Sequence, residues 1–256
     1  SKWTAVYASA GLGIEFFVIL FQIWRTLPEA ERKKFWVFAI QTCSLCIPCF
    51  VVVPGLIYTL SYLPISMVDG YGNMWHAMWD NQQYMLSYHS ELGGTHPYSS
   101  KWYTWPFVYK PMWAYQAPET TVGADQIGCI SIFQNPLLSW AGIAAFFYSI
   151  AVGIQKRDRT VLFLLIGLLS QYLPWIFVKR YALQYHFFAS LPFVILFLVY
   201  AFQDLERRIP RFGWFTAGFT ALCLIMFAGF YPVISGIEVS RFYVENYLVW
   251  FRSWVF

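Results

Sequence analysis

Charged side chains are scarce in this sequence. They make up 12% of the 256 residues, whereas roughly 25% is usual for soluble domains. Hydrophobic residues make up 59%, and a soluble domain of this composition would lack the polar surface that keeps it dispersed. These figures exclude an ordinary soluble domain and predict a protein that lies in a lipid bilayer.

Long apolar runs separate the few charges, and roughly 20 apolar residues are enough to cross a bilayer as a helix. We predict an all-α polytopic membrane protein with six transmembrane helices. The predicted spans are about Ala5 to Trp24, Phe35 to Leu63, Pro136 to Ile154, Val161 to Val178, His186 to Phe202 and Gly213 to Val233. The second span is longer than a bilayer requires and contains Pro48 and Pro54, which predicts a tilt or a kink.

The basic residues are concentrated in three short connections between predicted spans. Ten of the 17 lie there: Arg25, Arg32, Lys33, Lys34, Lys156, Arg157, Arg159, Arg207, Arg208 and Arg211. Because lysine and arginine in short loops are retained on the cytoplasmic side, both chain ends and the long loop are predicted to be extracytoplasmic. The net charge of +4 follows from this topology and calls for no nucleic-acid partner.

Three regions are predicted along the chain. Residues 1–63 contain the first two spans with a basic cytoplasmic loop, 64–135 form the extracytoplasmic loop, and 136–256 contain the last four spans and an outward tail. Within the loop, the stretch Asn73 to Tyr88 is apolar on one helical face and polar on the other. This pattern predicts a helix that lies in the membrane interface.

Cysteine and histidine are also rare, and neither is arranged as a recognised metal site. Cys43, Cys46 and Cys49 fall within the second span, where small apolar residues of a membrane helix explain their spacing. Only Cys129 lies outside the membrane in this topology, so no outward intramolecular disulfide is available. No pairing of the four histidines with nearby acids has a recognised ligand spacing, and no metal is predicted.

Charged residues in or beside the spans have alternative interpretations. Glu15 is the one acid near the middle of a predicted span, and it either relays protons or is protonated or paired inside the bundle. Lys179 and Arg180 lie on the outward side, close to His186. An arginine and a histidine suit a phosphate group; snorkelling to lipid headgroups is the alternative.

Aromatic residues are densest in the loop at residues 96–113, which contain three tryptophans, three prolines and a histidine. Three stretches resemble the C-terminal region of protein O-mannosyltransferases. They are HPYSSKWYTWPFVYKPMWAY at residues 96–115, YLPWIFVKRYALQYHFFASLPF at 172–193 and, less specifically, SKWTAVY at 1–7. With the spans between them, these stretches cover most of the chain.

The resemblance implies a GT-C membrane glycosyltransferase with eleven spans, whose last six correspond to the six predicted here. Eukaryotic members insert a large MIR domain in the loop that corresponds to residues 64–135. The loop of this chain is too short for that domain, which implies a bacterial-type enzyme of the inner membrane. The implied reaction transfers mannose from a polyprenyl phosphate mannose to serine or threonine hydroxyls of exported proteins, with no cofactor.

Site residues follow in part from the same resemblance. Arg180 and His186 match the family's outward arginine and Tyr-His positions, which implies that they bind the donor phosphate. Residues of the loop are predicted to shape the cavity for the sugar or acceptor, with architectural packing of the aromatics as the alternative. These cavity residues are His89, His96, Tyr98, Trp102 and Trp105.

The catalytic residues are not identified in this sequence. The family's acidic catalytic pair lies in the first outward loop, before the residues present here, and the sequence contains no adjacent aspartate and glutamate. We therefore expect the C-terminal part of a longer transferase, or one subunit of a split transferase, that does not turn over alone.

Two other functions stay open. Another GT-C enzyme, such as a lipid A aminoarabinose transferase, would use a different acceptor. A noncatalytic transporter or assembly subunit would carry polar groups at mid-membrane. The expected partners are a lipid-linked sugar donor, secreted or membrane acceptor proteins, membrane lipids, and the missing N-terminal half or a second transferase subunit.

Overall fold

Helices form most of the chain in the computed structural model, which describes residues 4–68, 70, 72–91, 96–118, 120–178 and 180–256. The chain divides into two units, one of Ser1–Gly13 with Thr95–Phe256 and one of Ile14–Gly94. We call them the large unit and the small unit and describe each by itself.

The small unit is built from helices. It contains most of α1 (Thr4–Thr26), then α2 (Glu29–Ile47), a π-helical segment (Pro48–Val52), α3 (Val53–Leu60), α4 (Leu63–Ser66) and α5 (Met74–Glu91). Pro48 has no amide hydrogen to donate, and the regular helix gives way to the π-helical segment at this residue. The tilt or kink expected for the second span stays a prediction. Glu15 is buried, and its part in proton transfer stays a prediction.

Helix α5 confirms the helix predicted at Asn73 to Tyr88. It contacts α3 and the turn that follows α3 through polar side chains: the Gln82 amide donates to the hydroxyl of Tyr58 in α3, and the Asn81 amide donates to the hydroxyl of Tyr62 in the turn at 2.7 Å. The two tyrosine hydroxyls also lie 2.8 Å apart. These bonds satisfy polar groups that would otherwise be costly beside an apolar helix. The placement of α5 in the membrane interface stays a prediction.

Five described helical stretches are long and apolar enough to cross a membrane: Thr4–Thr26, Glu29–Ser66, Pro136–Lys156, Arg159–Ile176 and Phe212–Ser235. The multi-pass prediction is confirmed. The predicted span from His186 to Phe202 begins too early, because residues Gln184–Ala189 form a 3₁₀ turn and α8 runs from Leu191 to Arg208. Its last two turns carry four charged residues, and α8 is not among the five.

The large unit is centred on α6 (Pro136–Lys156), α7 (Arg159–Tyr172) and α8. Asn135 and Asp158 cap α6 and α7, and each side chain accepts a hydrogen bond from a backbone amide of the first turn. Glycine lets the helices approach closely: a Cβ at Gly142 would lie 2.2 Å from a methyl carbon of Val194 in α8. Phe146 and Phe197 meet in the same contact, with ring centroids 5.2 Å apart.

Short strands and a C-terminal segment complete the large unit. Strand β1 (Met112–Gln116) pairs with β3 (Cys129–Ile132), and β2 (Gln126–Ile127) pairs with β4 (Val239–Ser240), both antiparallel. Helix α9 (Phe212–Ser235), the short helix α10 (Arg241–Tyr243) and a π-helical segment (Val244–Leu248) follow. An apolar core that includes Phe230, Val233 and Trp254 joins α9 to the chain end. The Trp254 indole donates to the Val108 carbonyl at 2.8 Å.

Asp204 organises one end of the large unit. It lies in α8 beyond the apolar stretch that ends at Phe202, and it is buried. Its carboxylate accepts hydrogen bonds from Lys156 at the end of α6 and from the Tyr148 hydroxyl at 2.7 Å, and it forms an ion pair with Arg208 at 2.7 Å. The Lys156 ammonium, with Tyr148 and Arg208, lowers the pKa of Asp204 from its ordinary value of 3.8 to about 2.

Asp204→Asn is expected to reduce the free energy of unfolding at pH 7 by about 1–3 kcal/mol, because charge-assisted hydrogen bonds to a buried acceptor are lost. The depressed pKa means that the carboxylate stabilises the fold fully above about pH 4 and that this contribution is lost as the pH falls through about 2. The wild-type unfolding midpoint in detergent should therefore fall over this interval, and that of the variant should change less.

Glu206→Gln is the matched control, because Glu206 is an exposed carboxylate in the same turn of helix. Its cost should stay below about 0.5 kcal/mol. Equal stabilities of the two variants at pH 7 would show that Asp204 does not hold α6 and α8 together.

Candidate functional site

The aromatic loop folds into two turns. His96 begins a turn in which its carbonyl accepts from the Ser99 amide at 2.9 Å and its Nδ1 accepts from the Tyr98 amide at 3.2 Å. Residues Trp102–Phe107 then form a 3₁₀ turn that ends at Val108, with φ of 54°. A β-branched residue with positive φ is rare and costs roughly 1–2 kcal/mol. Full burial of Val108 offsets this cost.

This loop packs against the segment between α7 and α8, so the two long motifs of the sequence meet in space. The Ser100 amide donates to the Ala182 carbonyl at 2.9 Å, and the Tyr172 hydroxyl donates to the Trp102 carbonyl at 2.8 Å. The ring of His96 stacks on Tyr181, with centroids 5.5 Å apart and planes 23° apart. We call the loop 96–107 and the segment 172–189 together the loop cluster.

Trp105 is the centre of the loop cluster and has 0% of its surface exposed. Its indole Nε1 donates to the Ser100 hydroxyl at 3.0 Å. Its ring stacks on His186 at 6.0 Å with an interplanar angle of 19°, and meets Trp175 edge-on at 5.5 Å. Full burial makes Trp105 a support for neighbouring side chains.

A buried amide network holds the Trp105 backbone. The Trp105 carbonyl accepts from Gln134 Nε2 at 2.7 Å and from Gln184 Nε2 at 2.8 Å. Gln184 Nε2 also lies 2.8 Å from Gln134 Oε1, and Gln134 Nε2 lies 3.2 Å from the Ser139 hydroxyl. Sequence reasoning missed both glutamines. Their position at the edges of apolar runs was the available signal, since a buried amide needs partners.

His186 is buried in the 3₁₀ turn Gln184–Ala189. Its ring lies 4.2 Å from that of Trp175 and 4.1 Å from that of Tyr185, centroid to centroid. Its Nδ1 lies 2.9 Å from the Leu183 carbonyl oxygen and 3.2 Å from the Leu183 amide nitrogen. The backbone thus holds Nδ1, and the ring orientation is set by three aromatic neighbours together with this contact.

Arg180 lies in the same segment and is half-buried. Within the part of the chain that the structure describes, its guanidinium forms no salt bridge. Lys179 lies outside the described residues. Arg180 is followed directly by Tyr181 and Ala182, which both contact the aromatic loop.

Of the remaining predicted cavity residues, Tyr98 and Trp102 make aromatic contacts. Tyr98 stacks on Trp113 of β1, with centroids 5.5 Å apart and planes 29° apart. Trp102 meets Tyr172 edge-on at 5.5 Å. The side chain of His89 lies outside the described part of the chain. The structure therefore places the segment that contains Arg180 and His186 against the loop at residues 96–107.

The chemistry of the loop cluster suits an anionic ligand with a sugar. The half-buried Arg180 carries a guanidinium, a group with five donors that suits phosphate oxygens, and His186 adds an imidazole whose Nδ1 is held by the Leu183 backbone. The rings of Trp105, Trp175 and Tyr185 surround His186. None of the residues named in the loop cluster is acidic, and no group of three His, Cys, Asp or Glu in the described residues is arranged to hold a metal.

Comparisons with known proteins give matches over most of the chain. The family model for the C-terminal four-transmembrane region of protein-O-mannosyltransferase matches residues 74–254, about seven tenths of the chain. A polyprenol-phosphate-mannose–protein mannosyltransferase of Mycolicibacterium smegmatis is 26% identical over 208 residues, which cover 76% of this chain and 39% of that protein. One from Mycobacterium tuberculosis is 23% identical over 209 residues, covering 74% and 38%.

A solved structure shares the fold. It is the Saccharomyces cerevisiae protein O-mannosyltransferase Pmt1-Pmt2 complex bound to the sugar donor, with a TM-score of 0.59 and 18% sequence identity. The match covers 71% of this chain and 27% of the yeast chain. The present chain thus spans about two fifths of the length of the bacterial relatives and less of the yeast protein.

Proposed function

The chain belongs to the protein O-mannosyltransferase family, and from this membership we propose that it forms the donor-binding membrane part of an enzyme that transfers mannose to proteins. The proposed donor is a polyprenyl phosphate mannose, and the proposed acceptors are serine and threonine hydroxyls of exported proteins. The relatives' name supports the donor and the type of acceptor molecule.

One observation carries the proposal: the aromatic loop packs on the segment that contains Arg180 and His186. The contacts are the Ser100–Ala182 hydrogen bond, the His96–Tyr181 stack and the Trp105–His186 stack. They support a site in which cationic and aromatic groups face the same ligand. A phosphate-linked sugar presents both kinds of surface.

In the proposed transfer, the acceptor oxygen attacks the anomeric carbon of the mannose as the bond to the phosphate oxygen breaks. Negative charge grows on the departing lipid phosphate, and Arg180 stabilises it with two parallel hydrogen bonds. His186 contributes a further contact from a ring that does not need to reorient. A carboxylate must accept the acceptor's proton, and we propose that it comes from outside the loop cluster.

We further propose that this region works with additional protein, either upstream in the same polypeptide or in a second subunit. The yeast neighbour is a complex of two proteins, which supports the possibility of a subunit partner. The loop cluster, the rest of the long loop and both chain ends are proposed to face the extracytoplasmic side of the inner membrane.

A transfer assay tests the proposal. Membranes that contain the chain together with its proposed upstream region or second subunit are incubated with radiolabelled polyprenyl phosphate mannose and a synthetic peptide rich in serine and threonine. We expect label on the peptide that alkaline β-elimination releases, and none on a peptide with alanine at those positions. Label on lipid A from an aminoarabinose donor, or sugar flux without transfer to either acceptor, would contradict the proposal.

A further inference from the structure

Two connections at one end of the large unit form a strongly basic face. They are the α6–α7 connection and the α8–α9 connection. Lys156 and Arg208 both bind Asp204, and the Tyr200 hydroxyl of α8 donates to Asp158 at 2.8 Å. These contacts place the two connections side by side. The basic face consists of Lys156, Arg157, Arg159, Arg207, Arg208 and Arg211.

Internal acids neutralise only part of this face. Asp204 binds Lys156 and Arg208. Asp158 accepts from Tyr200 and the Thr160 amide, and Glu206 accepts from Thr216 at 2.6 Å. The other four arginines are exposed, and none forms a salt bridge within the described residues. The face therefore carries a clear excess of positive charge toward its surroundings.

Helix stability does not favour arginine at three of these four positions; Arg207 is the exception, because it lies in the last turn of α8, where a cation is favourable. Arg157 and Arg211 adopt positive φ, at 53° and 67°, where glycine would fit without a Cβ penalty. Arg159 begins α7 and Arg211 precedes α9. A cation is unfavourable beside the positive end of a helix dipole.

Exposed apolar side chains border the basic face. Ile154 near the end of α6 is 74% exposed, and Trp214 in the first turn of α9 is 81% exposed. Ile209 and Phe215 are exposed beside them. The stretches Pro136–Lys156, Arg159–Ile176 and Phe212–Ser235 are long enough to span a bilayer. We therefore expect their ends to lie at the level of the headgroups, where tryptophan and arginine are favoured together.

We propose that the basic face binds the headgroups of anionic phospholipids, with Arg157, Arg159, Arg207 and Arg211 contacting the phosphates and Trp214 lying among the adjacent acyl chains. Guanidinium groups suit phosphate oxygens. The alternative explanation is that these cations serve only to retain the connections on one side during membrane insertion. That explanation does not require the folded protein to bind lipid. The binding site is independent of the proposed transfer reaction.

The test compares two double variants of the full chain purified in a neutral detergent. Arg157→Gly with Arg211→Gly removes two cations of the basic face. It also removes the steric cost of a Cβ at two residues with positive φ, so the unfolding midpoint without lipid should be unchanged or slightly raised. Arg241→Gln with Arg252→Gln removes two exposed arginines that lie beyond the other end of α9. Both variants thus have the same net charge.

Each protein is titrated with dioleoylphosphatidylglycerol or dioleoylphosphatidylcholine in mixed micelles, and bound lipid is counted by native mass spectrometry. We expect the wild type to retain phosphatidylglycerol in preference to phosphatidylcholine. The glycine variant should need about thirtyfold more phosphatidylglycerol for half-saturation, at about fivefold for each cation removed. The control should change by less than about threefold.

Three results would overturn the proposal. They are equal retention of the two lipids by the wild type, half-saturation of the glycine variant within about threefold of the wild type, and an equal loss in the control. Should the glycine variant fail to fold, Arg157→Gln with Arg211→Gln keeps the backbone requirement unchanged. The same expected and contradicting results then apply.

Discussion

Replacing Arg180 by alanine is expected to lower kcat/KM for mannosyl transfer at least about a hundredfold, or roughly 2.7 kcal/mol. The reason is that the guanidinium would stabilise charge that develops on the lipid phosphate as the sugar leaves. Most of the loss should appear in kcat rather than in KM, because the negative charge on the phosphate grows as the bond to the sugar breaks, so the guanidinium stabilises the transition state more than the bound donor. The measurement is transfer to a serine-rich peptide over a range of donor concentrations.

Arg180→Lys is the informative partial variant. It keeps the charge but loses the planar pair of donors, so its loss should be smaller, at about tenfold. Arg252→Ala is the matched control, because Arg252 is an exposed arginine of the same unit outside the loop cluster. A loss below about threefold for Arg180→Ala, or under roughly 0.7 kcal/mol, would count against contact with the donor phosphate.

Trp105→Ala is expected to have the largest effect on stability. Trp105 is fully buried and stacks on His186, and removal of a buried tryptophan costs about 3–5 kcal/mol. The cavity would also leave His186 without one of its stacking partners. Transfer should therefore be reduced even at temperatures below the unfolding midpoint of the variant. The measurements are denaturant unfolding in mixed micelles and transfer at low temperature.

Trp105→Phe separates packing from hydrogen bonding. It keeps an aromatic ring against His186 but loses the bond to the Ser100 hydroxyl, so we expect a cost of about 1–2 kcal/mol and most of the transfer activity. If Trp105→Ala were as stable as Trp105→Phe and equally active, the loop cluster would not depend on this contact.

Hydropathy was sufficient for most of the fold, because a span needs only a long apolar run with few charges. It failed at the start of α8. The residues Phe187 and Phe188 are as apolar as those of the helix, but they belong to a 3₁₀ turn, and α8 begins at Leu191 next to Pro192. Proline is favoured in a first helical turn, so Pro192 was a usable signal for the later start.

The short strands could not be predicted in the same way. Strands β1 and β3 are separated by a dozen residues, and β2 pairs with β4 more than a hundred residues later in the chain. A pairing of this kind depends on contacts that local alternation of side chains does not encode. The helix α5 was easier, because its apolar and polar faces repeat along one continuous segment.

The sequence proposed Arg180, His186 and the loop aromatics as site residues, and their roles stay predictions. It did not predict that the loop packs against the segment that contains Arg180 and His186. Trp105 was predicted to line a cavity, and a side chain that lines an open cavity keeps some exposed surface. Trp105 has none. The Gln134–Gln184 network has no periodic pattern and was missed for that reason.

Photocrosslinking with a donor analogue tests the central claim most directly. A polyprenyl phosphate mannose that carries a diazirine on the isoprene unit next to the phosphate is bound to the protein in membranes and activated by light. We expect adducts in the peptides that contain His96–Phe107 and Tyr172–Ala189, reduced by excess unlabelled donor and by Arg180→Ala. Adducts confined to α2, α3 or the basic face, with none in the loop cluster, would contradict the account.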